Sequence, residues 1–174
     1  MLKLFAPAAA AVALVAAGAA APAHAARLSD AQIANIAYTA GKLDIAAAKQ
    51  ALAKSKDKAV LDFANEMVRD HTAVNDKALA LVKKLKVTPE DNPTSQTLTK
   101  DQDAKRAEFA KLSGKSFDKH YIDNEVTYHR TVNDALEKQL IPDAQNPELK
   151  GLLETGLKLF KTHQAHAEQL AAKL

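Results

Sequence analysis

Apolar residues in this 174-residue chain recur in steps of three and four along four long stretches, and no segment alternates with period two. That spacing keeps each set on one face of a helix. It confines the chain to an all-α architecture. The first seam is Ile33, Ala37, Ala40, Asp44, Ala47 and Ala51. The second runs Val60, Ala64, Met67, His71, Val74, Ala78, Leu81, Leu85. The third is Ile122, Glu125, His129, Val132 and Leu136, and the fourth Leu149, Leu152, Gly156, Leu159, His163, His166, Leu170. Amphipathic helices must bury their seams against one another, so the expected fold is an antiparallel four-helix bundle. Polar or charged groups interrupt every seam near its middle.

The breaks between helices are legible. Ser29 followed by Gln32 is a capping-box pattern that starts the first helix, which runs to about Lys54. Ser55 or Asp57 can cap the second, expected to reach about Lys86. Val87 to Thr99 holds Pro89, Pro93 and several Ser and Thr residues, and reads as a loop. A short extra helix over Thr99–Leu112 precedes a third long helix from about Ser116 to Leu140. Ile141 to Pro147 is a stop and a restart, with Pro147 suited to a first helical turn.

The first residues have a different character. Met1-Leu2-Lys3 precedes an Ala- and Val-rich run that ends at Ala23-His24-Ala25, a small-x-small cleavage pattern. Residues 1–25 read as a secretory signal peptide, and residues 26–174 as one domain exported to the periplasm or beyond. No second long apolar stretch follows, so no transmembrane segment is expected in the mature chain. Cysteine is absent, which excludes disulfides, thiol chemistry and Cys-based zinc sites. Lys and Arg total 24 against 21 acidic residues, interspersed without a basic block, so no nucleic-acid footprint is present. There is no phosphate-binding loop or nucleophile–base motif.

The polar interruptions match in height as well as in face. Asp44 lies about 12 residues before the first turn and His71 about 15 after it, a level difference of ~5 Å at the helical rise. Glu125 and His163 flank the last connection with a difference of ~2 Å. Asp44, His71, Glu125, His129, His163 and His166 are therefore the candidate ligand set. Imidazoles with a carboxylate suit one transition-metal ion such as Zn, Cu or Fe, and do not suit Mg or Ca. A metal-free hydrogen-bonded network remains the alternative. Asp70 is a candidate for supporting His71 from the side, Glu66 and Asp70 together read as a flank, and His120 falls on the surface.

Phe63-Ala64-Asn65-Glu66-Met67-Val68-Arg69-Asp70-His71 resembles the "FA-x-x-MV-x-DH" signature of a ferritin-like bacterial family, domain of unknown function 4142. Ser113-Gly114 with Phe117-Asp118 and Tyr121 is similar to its "SG-x-x-FD-x-x-Y" motif, His129 matches the histidine that follows, and His163 with Ala167 resembles its terminal motif. Asp44 stands where the family usually has Glu, and Lys158 where Pro is expected. The resemblance implies an exported ferritin-like four-helix bundle and, by association only, a part in envelope homeostasis or stress. It implies no established activity. A di-iron carboxylate centre is not expected, because Glu125 and His129 are four apart, not three, and no Glu accompanies His163. The reading is a non-enzymatic metal-binding bundle. The alternatives are a metalloenzyme acting on oxygen species and a metal-free helical interaction module, with the protein partner unidentified.

Overall fold

Ser29 starts the first helix as its spacing predicts. Its side chain accepts from Gln32 N (3.2 Å) while Gln32 Oε1 accepts from Ser29 N (3.1 Å). The structure, a computed structural model, describes residues 27–174; the signal-peptide reading falls outside them. Helix α1 spans Asp30–Lys54, α2 Lys58–Leu85, α3 Pro93–Ala110 and α4 Gly114–Ala135. A π-helical turn, Leu136–Leu140, carries α4 into the one-turn α5, Ile141–Asp143, and α6 spans Pro147–Ala171. The described chain is all-helical. Asp57 caps α2 and Asn146 caps α6, each accepting two backbone N–H groups. Among the described residues no helix is long and apolar enough to cross a membrane.

Two boundaries differ from expectation. The segment expected to be loop up to Thr99 is helical from Pro93, because Pro93 occupies the first turn and Asn92 caps it. Asn92 Oδ1 accepts from Ser95 N (3.1 Å), and Ser95 Oγ accepts from Asn92 N (3.3 Å). Prolines that read as loop formers thus include a helix starter. The helix expected to stop at Leu140 continues to Asp143. Pro142 cannot donate to an α-helical carbonyl, and the wider turn just before it accommodates this.

Helix directions follow from contacts between them. The three-residue link 55–57 makes α1 and α2 antiparallel. The connection into α3 returns along α1 in the same direction. Glu90 N donates to Ala31 O (3.0 Å), and Asn92 Nδ2 to Gln32 O (3.4 Å). Further along, Gln50 Nε2 donates to Arg106 O (3.0 Å) and Lys54 Nζ to Ala110 O (2.6 Å). Helix α4 then runs against α1: Lys54 lies over the Phe117 ring, Tyr128 Oη donates to Ala40 O (2.9 Å), and Leu28 N donates to Asp143. Helix α6 runs against α2, as the pairs Lys84–Glu148 and Asp70–His163 require. The four long helices α1, α2, α6 and α4 form a closed ring of antiparallel neighbours, with α3 outside against α1 and α4.

The interior has two apolar clusters. One gathers Ala47, Ala51, Val60, Phe63, Met67, Phe117, Tyr121, Ile122 and Leu170, with Phe109 of α3. The other gathers Ile33, Ile36, Leu136, Leu140, Leu149, Leu153 and Phe160. In each long helix the polar interruption lies, in chain order, between residues that face the two clusters. Asn92→Ala removes a cap and strands its partners Ser95 and Gln32, so stability falls by about 1–2 kcal/mol. Thermal unfolding followed by circular dichroism then shows a Tm lower by a few degrees, with helical content unchanged.

Candidate metal centre

Each of the four long helices delivers at least one ionisable side chain to the level between the clusters. Asp44 comes from α1, His71 from α2, Glu125 and His129 from α4, and His163 from α6, and all five are buried. His71, His129 and His163 each offer a nitrogen, and these nitrogens lie within 4.8 Å of one another. Atoms of Asp44, Glu125 and His129 form a second group meeting the same limit, so His129 belongs to both. His71 Nε2 is 3.3 Å and His129 Nε2 3.5 Å from Asp44 Oδ2, and His129 Nδ1 is 3.4 Å from Glu125 Oε2.

These approaches are close but misaligned. Both oxygens of Asp44 and of Glu125, both nitrogens of His71, His129 Nε2 and His163 Nδ1 are buried without a hydrogen-bond partner. A buried polar group left unpaired costs about 1–3 kcal/mol. Two of the imidazoles are oriented from behind. His129 Nδ1 donates to the Glu125 carbonyl (3.0 Å), and His163 Nε2 donates to Asp70 Oδ2 (3.0 Å). Each bond fixes a tautomer that leaves the other nitrogen's lone pair bare, as in metal sites supported by outer hydrogen bonds. Asp70 is itself held by Arg69 at 2.7 and 3.0 Å. Its carboxyl is kept below the ordinary range, chiefly by that guanidinium. Phe160 stacks on His71 at 4.7 Å, and Tyr121 brings a buried hydroxyl without a partner.

His166 stands apart from the convergent atoms. It is 38% exposed at its side chain and pairs with Glu66 at 2.8 Å. The fourth seam explains this. Leu149, Gly156, His163 and Leu170 face inward, but the positions between them that are buried are Leu153, Phe160 and Ala167 rather than Leu152, Leu159 and His166. Both choices repeat every seven residues, and adjacent apolar side chains hid the difference. Asp70 does support an imidazole, but it is His163 on another helix rather than its neighbour His71. Glu66, Asp70 and His163 form a third convergent group at the edge of the cluster. Its sequence signal was the i, i+4 pair Glu66 and Asp70, level with His163 and His166. His120 is exposed, as expected.

A family model for a domain of unknown function (DUF4142) matches residues 15–170. The chain belongs to this family. No curated protein and no solved structure matches the chain. Within the matched range, His71, His129 and His163 lie in the cluster and Asp70 beside it.

Electrostatics follow from burial. Desolvation pushes the Glu125 carboxyl up from 4.5 to about 8. Asp44 is raised well above its ordinary range by burial and then by Glu125, against a smaller opposing pull from His129. His71 is pushed well down by burial and by its imidazole neighbours, and His163 is lowered by burial. Without a cation the cluster therefore favours neutral carboxyls and a neutral His71. In chelated protein, folded Glu125 holds its proton to about pH 8 while the unfolded carboxyl loses it near 4.5. Its contribution to stability is present below 4.5 and lost as pH rises through about 8. Asp44 acts in the same direction. The depressed histidines act oppositely, and their contribution is complete above the unfolded imidazole value of 6.5. The Tm of chelated protein is thus expected to fall between pH 6.5 and 8. Glu125→Gln reduces that fall; calorimetry across the interval checks both.

Proposed function

We propose that this DUF4142 chain is an exported, ferritin-like four-helix bundle that binds one transition-metal ion among His71, His129 and His163, with Asp44 and Glu125 as neighbouring carboxylate donors. The observation that carries this reading is the convergence of buried ligand atoms that have no hydrogen-bond partner. A metal-free polar network would be expected to satisfy its own members. Here the outward-facing nitrogens of His129 and His163 are satisfied, and the inward ones are bare. Imidazole-rich donors favour Zn, Cu or Fe over Mg or Ca. The ring of four long helices with a crossover helix between the second and third supports the ferritin-like reading. The leader sequence and its Ala23-His24-Ala25 pattern support export, with residues 26–174 as one domain.

The chemistry of such a site is set by the chain's own groups. Asp70 and the Glu125 carbonyl hold two imidazoles in the binding tautomer. Asp44 and Glu125 release protons as a cation enters, so binding strengthens as pH rises. Purified protein titrated with Zn or Co is expected to take up about one equivalent and to gain thermal stability with ligand concentration. The double variant His71→Ala, His163→Ala should lose that uptake, while His120→Ala should not. Equal uptake by the double variant and the native chain would exclude the site. No uptake by either would leave a metal-free helical module.

A further inference from the structure

We infer that the half of the interior beyond the histidine cluster is a binding site for an uncharged, lipid-like molecule: a hydrocarbon chain bearing one hydroxyl group. A cavity of about 460 Å³ opens there, lined from α1, α2, α3, α4 and α6. Its size falls within the ~300–1,000 Å³ range of small-molecule sites. The space has a cause in the sequence. Ala37 and Ala40 on α1, Ala78 on α2, Ala135 on α4 and Gly156 on α6 all face this half. In the other half, Phe63, Met67, Phe117 and Tyr121 fill the corresponding volume.

The walls select the occupant. Branched aliphatic residues and Phe160 make them overwhelmingly apolar. Asn75 is the buried polar exception. It is 6% exposed and lines the cavity. Gly41 leaves that amide its place, since a Cβ there would come within 2.3 Å of Asn75 Oδ1. A carboxamide donates and accepts, which matches a hydroxyl. No basic residue lines the cavity, and the charged group on its wall is the exposed Asp101. In the shallow cleft that adjoins it, Lys105 is paired with Glu108 at 3.1 Å. Charge therefore opposes a fatty-acid carboxylate and permits a neutral alcohol. Phe160 stacks on His71 with its ring and also lines the cavity, so the occupant would rest against the wall of the histidine cluster. The site does not depend on a bound metal.

The test uses chelated full-domain protein and the neutral fluorophore 1-N-phenylnaphthylamine. Saturable binding near one equivalent is expected, displaced by 1-dodecanol and at least tenfold less well by dodecanoate. Ala78→Leu and Ala135→Leu each fill the cavity from a different helix, and each should weaken probe binding at least tenfold while helical circular dichroism is retained. Methyl NMR supplies a readout free of substitutions. Dodecanol should shift the methyls of Ala37, Ala78 and Ala135 and leave those of Ala51 and Ala64 in place. Absence of saturable binding, native affinity in a folded filled variant, or shifts centred on Ala51 and Ala64 would each overturn the proposal. Equal displacement by dodecanoate would overturn its choice of a neutral ligand. Because metal is absent throughout, failure here is distinct from failure of the metal reading.

Discussion

Desolvation of ionisable groups at one level of the helical ring is the constraint around which the rest of the structure is arranged. Two carboxyls and three imidazoles lie there with almost no access to water. Burial holds the two carboxyls protonated far above their ordinary range and lowers His71 and His163 toward their neutral forms. Apolar clusters on both sides exclude solvent and leave these groups only one another. A cation could relieve several of the unpaired atoms at once, because the ligand atoms already face a common volume.

The crossover helix makes this arrangement possible. With α3 running back along α1, helix α4 can start beside the end of α1 and descend against it, placing Glu125 and His129 opposite Asp44. A direct short turn from α2 would have sent α4 in the opposite sense. Caps and small contacts fix the levels. Asn92 pins the start of α3 to α1, and Asp30 accepts from Gln145 and Asn146 to pin the start of α6 beside the start of α1. Uninterrupted packing of α6, with Lys158 where a proline would have bent it, carries His163 to the required height.

Much of this was legible because helices translate spacing into position. Asp44, His71, Glu125, His129 and His163 each break an otherwise apolar seam, and counting residues from the turns gave nearly equal heights. What escaped has definite physical reasons. The two heptad choices on α6 share Leu149, Gly156, His163 and Leu170, so His166 read as inward when Ala167 is. Composition could not separate Pro93 as a helix starter from Pro89 in a loop; the capping role of Asn92 decides it. The partner of Asp70 was invisible because it lies on a helix 93 residues away. The cavity escaped too, since alanines on separate helices look like close packing until their alignment is known.

The cost of the cluster bears on why it is there. Replacing a buried ionic group by an apolar side chain of similar volume is often neutral or stabilising. Leucine or methionine in place of these five residues would continue every seam and join the two clusters into one core. The helix caps are set by other residues, Ser29, Asp57, Asn92 and Asn146. The outer hydrogen bonds to His129 and His163 would then have no purpose, because they orient rings without satisfying the atoms that face inward. Orientation from behind combined with bareness in front is what a ligand requires and what a purely structural network would avoid. Stability alone therefore accounts for the helices but not for what they carry between them.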